Sequence, residues 1–457
     1  MRFRHGHGLF TVLGALLLLA GGALRADENT WKVGTAKAKI TPEPPMYLAG
    51  YGGRDKAADS TLHDIWVKVL ALEDARGNRA VVITCDVCGI SKRTYETVCA
   101  ELKKRCALER SHILLNYSHT HTGPALAECL QDYCDWDDAA RTRIRQYTRW
   151  LEGTIVEQAA LALAQMTPAT LWMGEGRTDF AVNRRNNKEA EVPAIRERGE
   201  PLRGPVDHSV PVLAAKTPDG RLRTVLFGYA CHPTTLAITQ WSGDYAGFAM
   251  LDVEKSHTDV QAMFFQGCGA DQNPLPRREI KLCRKYGDML AAAVEEVCRE
   301  AMTPIAPSLR TAFQFVDLPF ERTMTADDLN RYVSQGGVYG RWAQRMLKSL
   351  RAGQPFPQSF PYAVQVWRLG KNHLWISLGG EAVVDYSLKF KSLYGPTTWV
   401  NGFSHDLTAY MPSRRVWNEG GYEGGYLGEY GLPAMRWAPD LEDRITRAVA
   451  RLVAKVK

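Results

Sequence analysis

The sequence predicts an α/β fold in which mixed β-sheets are flanked by helices. Three observations lead there. Short apolar or alternating runs recur between longer segments with three-to-four periodicity, and no internal repeat or low-complexity run interrupts them. Hydrophobic residues make up 45% of the 457 residues, enough to bury a large core and incompatible with a disordered chain. Several strand-like runs end in loops carrying His, Gly and Pro, and α/β sheets hold ligands beyond the carboxyl ends of their strands.

Residues 1–26 read as a secretory signal peptide. Arg2, Arg4, His5 and His7 form a basic start, Leu9 to Ala20 an apolar stretch, and small residues offer cleavage after Ala26 or Ala23. The apolar stretch is shorter than the ~20 residues of a membrane span, so cleavage is expected over anchoring. No later segment is apolar enough to span a bilayer. The mature chain, residues 27–457, is expected to be one exported domain, periplasmic or extracellular.

Trp31 to Ile40 alternates as a strand, and the Pro-rich residues after it form a stop. Ile65 to Leu72 and Arg79 to Thr84 are strands joined by an Asp-Ala-Arg-Gly-Asn turn. Ser91 to Leu108 is helical, with Tyr95, Val98 and Leu102 on one face, and Ile113 to Tyr117 is a short apolar strand. Asp137 to Gln165 is a long helix that repeats Ile144, Tyr147, Leu151, Ile155 and Ala159 at helical spacing. Strands follow at Ala169 to Met173, Val210 to Ala215, Thr224 to Ala230 and Ala262 to Phe265, with helices at Gly243 to Ser256 and Glu279 to Ala301. Residues 186–208 form a polar surface insertion. Residues 324–360 form a second, helical at Ala326 to Val333 and Gly340 to Leu350. Tyr362 to Leu369 and His373 to Ser377 make a hairpin. Glu381 to Leu393 is a helix, Thr398 to Phe403 a strand and Leu441 to Val456 the closing helix.

Charge excludes one class of partner. The chain has 57 Lys and Arg against 50 Asp and Glu, and three of the basic residues lie in the signal. A scattered surplus of four on the mature chain is too weak for nucleic-acid binding. Ten cysteines in an exported protein permit disulfides, with Cys129 and Cys134 the best local pair. Cys85-Asp86-Val87-Cys88 ends a strand and lacks the helix N-terminus of a redox motif, so buried thiols are expected there.

Chemistry collects at strand ends. Ile113 to Tyr117 leads into Ser118-His119-Thr120-His121-Thr122-Gly123-Pro124, and Thr224 to Ala230 into Cys231-His232-Pro233-Thr234. Ala262 to Phe265 leads into a Gly-rich turn at Asp271, and His373 to Leu378 into Gly379-Gly380-Glu381. His-x-His in extended chain puts both imidazoles on one face. A third His and a Glu complete an N/O ligand set that suits zinc, with a Tyr or water in a remaining position. His63, His112, His208, His257 and His373 lack that context and read as structural. Nucleophile-elbow, Walker and dinucleotide-binding motifs are absent.

His119-Thr120-His121-Thr122-Gly123-Pro124, His232-Pro233-Thr234, Ser242-Gly243-Asp244 and the turn at Asp271 occur in the order found in the neutral/alkaline, non-lysosomal ceramidases. The chain resembles that family's N-terminal catalytic domain over roughly residues 31–430, without its C-terminal domain. The resemblance implies one zinc ion held by His119, His232, Glu381 and Tyr410. It implies proton transfer or oxyanion stabilisation by His121 and Tyr422, and substrate contacts from Arg184, Asp271 and Asn273. Asn273 stands where the family has a Ser; an amide is no nucleophile, so zinc-activated water is the expected route. The implied activity is hydrolysis of an N-acyl (amide) bond in a small-molecule or ceramide-like lipid substrate. Two other readings stay open: the same zinc site acting on another ester or amide of the cell envelope, and a non-catalytic exported metal-binding protein.

Overall fold

The computed structural model describes residues 1–2, 30–43 and 45–457. From residue 3 onward, the expected signal peptide lies outside the described residues. Thirteen strands form one mixed sheet. From one edge it runs Gln261–Gln266, Leu222–Tyr229, Ser209–Lys216, Thr167–Arg177, Trp31–Lys39, Trp66–Glu73 and Arg79–Cys85. It continues through Ile113–Tyr117, Trp399–Ser404, His373–Gly379, Ser359–Leu369 and Leu309–Pro319, while Thr303–Ile305 pairs with Thr167–Arg177 off this path.

Period-two alternation explains how so long a sheet is buried. Ala80 and Val82 face one way, into a cluster that also holds Leu226, Met263, Phe265, Trp375 and Trp399. Val81 and Ile83 face the other way, under helices Lys92–Cys106, Asp138–Ala164 and Leu441–Lys455. Val225, Phe227, Ala262 and Phe264 face outward under helices Asp244–Ser256 and Ile280–Arg299. The sheet therefore curls on itself, giving helix, sheet, sheet, helix layers. Phe265 from one half meets Trp375 from the other at a ring distance of 5.1 Å. Aromatic pairs of this kind add ~0.5–1.5 kcal/mol beyond their burial.

The Ile113–Tyr117 strand and the Ala326–Val333 helix have the bounds read from the sequence. Three local readings change. The helix expected from Glu381 starts at Val384, because Glu381–Ala382 is drawn into a short ladder with Tyr410–Met411. Gly380 makes that turn possible: its φ is +61°, and a Cβ there would lie 2.5 Å from the Ala409 carbonyl oxygen. The Leu309–Pro319 strand, not read from the sequence, pairs along its whole length with Ser359–Leu369. Cys129 and Cys134 are not bridged; all ten cysteines are free thiols. Among the described residues no helix is long and apolar enough to cross a membrane.

Both insertions pack. The 324–360 segment has its own core of Leu329, Trp342, Ala343, Met346 and Leu347. In the 186–208 segment Val192 is buried against Val182 and Leu275, so that stretch is anchored rather than a free excursion.

Candidate metal centre

Curling brings carboxyl ends from distant parts of the chain to one place, and Asn116 pins them. Its amide donates to the carbonyls of Gln266 (3.3 Å) and Gly402 (2.9 Å), and its oxygen accepts from the Gln266 amide at 2.8 Å. Asn116 is fully buried one residue before the end of its own strand, where it pairs with Ser404 at the end of another. The loops leaving these strands must share the space beyond.

The His119 loop does not run on as extended chain, as the sequence reading assumed. His119 has φ +63°, a left-handed conformation rare for a non-Gly residue and characteristic of functional sites. The two imidazoles converge all the same, with Nε2 of His121 3.2 Å from Nε2 of His119. Thr120 and Thr122 hold the loop by donating to the Ser242 carbonyl, each at 2.8 Å. Asp244, in the same Ser-Gly-Asp turn, accepts from the Leu236 amide at 2.9 Å and so fixes the segment that follows His232.

His119, His232 and Glu381 are buried, with their ligand atoms within 4.8 Å of one another. Nε2 of His232 lies 3.2 Å, and Nε2 of His119 3.5 Å, from the same Glu381 oxygen, Oε2. Each ring's Nδ1 faces a backbone carbonyl, Cys88 for His119 and Gly269 (2.7 Å) for His232. Those contacts require Nδ1–H and leave both Nε2 lone pairs turned inward. Burial lowers the His119 pKa and lowers that of His232 to about 4, so both rings are neutral. Burial alone would raise the Glu381 pKa; hydrogen bonding, that of the Tyr430 hydroxyl included, opposes it, and the pKa is held at about 2. Two lone pairs and a carboxylate oxygen thus converge with no proton between them. Acceptors so arranged repel unless a cation lies among them, and two imidazoles with a carboxylate are a donor set that fits zinc.

A wall of hydrogen bonds stands beside this cluster. Tyr410, register partner of Glu381, accepts from Nη2 of Arg184 at 3.0 Å. Arg184 also donates to Asn273 (3.1 Å) and Glu423 (3.0 Å). Its guanidinium lies 5.0 Å from the Tyr422 ring, which is 5.5 Å from the Tyr410 ring. A cleft of about 420 Å³ opens here, lined by Arg184, Arg185, Asn273, Arg277, Tyr422 and Glu423 among others.

A family model for neutral/alkaline non-lysosomal ceramidases, N-terminal, matches residues 31–271, more than half the chain. The chain belongs to this ceramidase family. Its fold is similar to that of the neutral ceramidase from Pseudomonas aeruginosa, with a TM-score of 0.72 over 94% of this chain and 75% of that one, at 17% identity. A structure described as ceramidase complexed with C2 gives a TM-score of 0.70 at 18% identity, covering 93% of this chain and 76% of that one.

Within this ceramidase-family fold, the residues expected at the site fall into two groups. His119, His232 and Glu381 form the cluster with His121 beside it, while Arg184 donates to Tyr410 and Asn273 and lies against the Tyr422 ring. Asp271 sits behind them. Its Oδ1 accepts from the Val384 amide (2.9 Å) and its Oδ2 from Asn183 (3.0 Å), so both oxygens are turned to the scaffold. Burial first, then the neighbouring His119 and His232, push the His121 pKa well below its usual value, and its Nδ1 has no partner among the described residues.

Two residues in contact with the cluster escaped the sequence reading. The Tyr51 ring packs edge-on against His121 at 4.6 Å, after Gly50, where a Cβ would lie 2.4 Å from the imidazole. The Tyr430 hydroxyl donates to Oε1 of Glu381. The signal available for either was an aromatic beside a glycine.

Proposed function

We propose that the protein is an exported, single-zinc amidohydrolase that cleaves N-acyl bonds, with N-acylsphingosines the nearest substrate class. Family membership supports the reaction class. The observation that carries the metal is the convergence of two inward-facing imidazole lone pairs and a carboxylate. His119, His232 and Glu381 would hold the ion, with Tyr410 available from the adjacent ladder. When bound, zinc supplies Lewis acidity that polarises an amide carbonyl and acidifies water in an open position.

The protein's own groups do the rest. His121, neutral and with its Nε2 beside that of His119, is the ring nearest the cluster to pass a proton toward the leaving amine. The Tyr422 hydroxyl can donate to the carbonyl oxygen as negative charge develops there. Arg184 is held by Glu423 and Asn273 so that its charge stays beside both phenols. The secretory start of the sequence supports export.

Assaying the zinc-loaded protein against N-acylsphingosines, N-acyl amino acids and matched esters tests this reading. Release of fatty acid from amides is expected; release from esters alone would overturn it. Asn273→Ala should retain measurable turnover and raise KM, because it removes an acceptor shared by Arg184 and Thr234 and no nucleophile. A trapped acyl-enzyme on any side chain would contradict the water route.

A further inference from the structure

We infer that Tyr430 is a positioning residue of the metal centre, presented to Glu381 by a carboxylate clamp at Glu429 that the 324–360 insertion completes. The inference rests on the zinc reading above and adds what sets the orientation of its carboxylate ligand.

Glu381 is 2% exposed and has two oxygens with different tasks. Oε2 faces His119 and His232, and Oε1 accepts from the Tyr430 hydroxyl. Without that donor Oε1 would be a buried acceptor with no partner, and the carboxylate could rotate until neither oxygen is committed to the ion. Tyr430 closes the short 3₁₀ turn Leu427–Tyr430, and its φ-positive neighbours Tyr426 (+60°) and Gly431 (+82°) bracket the turn. Such a turn has too few hydrogen bonds to hold itself in place.

Glu429 supplies the hold. Its Oε1 accepts from the Tyr339 hydroxyl at 2.7 Å and its Oε2 from the Tyr133 hydroxyl at 3.0 Å. Tyr339 belongs to the insertion helix Gly337–Arg351. The same helix braces the turn again through Trp342, whose indole donates to the Leu432 carbonyl at 2.9 Å. It also braces the Tyr133 loop, where Arg341 donates to the Tyr133 carbonyl at 2.9 Å and Arg345 pairs with Asp132 at 2.5 Å. One insertion helix thus fixes both phenols that grip Glu429, and Glu429 precedes the residue that orients the ligand.

The test measures zinc affinity of the full-length protein by chelator competition, and the visible spectrum of its cobalt-substituted form. Tyr430→Phe should bind zinc about tenfold to hundredfold more weakly, the usual cost of losing an outer-shell partner, and shift the cobalt bands. Tyr339→Phe, remote from the ligands, should weaken binding in the same direction by less and guards against misfolding of the first variant. Tyr422→Phe should leave affinity unchanged. Wild-type affinity in Tyr430→Phe, or in Tyr339→Phe should the first variant not fold, overturns the inference while leaving the zinc reading intact. A wild-type protein that binds no zinc overturns both.

Discussion

The His232→Ala protein is expected to retain little zinc and almost no hydrolytic activity. His232 brings one of the two imidazole lone pairs that meet at Glu381, and its replacement leaves a single ring and a carboxylate. Removing a ligand should cost more than the ~10–100-fold in affinity that loss of an outer-shell partner costs. The change also removes the donor to the Gly269 carbonyl, which a buried site feels as about 1–3 kcal/mol of stability. Thermal denaturation should therefore accompany metal analysis. His112→Ala is the matched control: its imidazole lies at the other end of the Ile113–Tyr117 strand and accepts from the Glu109 amide at 3.2 Å. It should keep the wild-type metal content. Equal zinc in His232→Ala and wild type would contradict the ligand assignment.

Tyr422→Phe should fold normally, bind zinc normally and hydrolyse about tenfold to a thousandfold more slowly. The Tyr422 side chain faces the cleft and is 42% exposed, so the fold does not depend on its hydroxyl. Desolvation raises its pKa, and Arg184 nearby only partly opposes this, so the phenol stays protonated and able to donate. A donor aimed at a developing oxyanion is worth ~3 kcal/mol, or roughly a hundredfold in rate. The loss should fall on kcat more than KM, because the interaction strengthens as charge builds on the carbonyl oxygen. A variant as fast as wild type on the best N-acyl substrate would make Tyr422 a packing residue.

Local pattern carried much of this architecture. Short apolar runs stopped by Gly or Pro mark strands whatever surrounds them, and the loops after them carry the polar groups that converge around Glu381. The Leu309–Pro319 strand escaped because both of its faces mix polar and apolar residues, Thr311 and Asp317 with Phe313 and Phe315 on one, Arg310 and Gln314 with Ala312, Val316 and Leu318 on the other. Its alternation is therefore invisible. The convergence of His119 and His121 was expected from extended chain, but a left-handed turn at His119 aims its ring instead. For Tyr430 and Tyr51 the sequence offers no more than an aromatic beside a glycine. Tyr430 owes its place to Tyr133, roughly 300 residues earlier, and to an insertion helix. Contacts of that range leave no period in a sequence.

The proposal that one zinc ion at His119, His232 and Glu381 drives amide hydrolysis stands or falls on metal dependence. It is tested most directly by stripping the protein of metal and titrating zinc back while following fatty-acid release from an N-acylsphingosine or the best amide found. Activity should be absent in the stripped protein, rise linearly with added zinc and reach its plateau at one equivalent per chain. Full activity in the stripped protein, or zinc bound at one equivalent with no amide cleaved, would contradict the account.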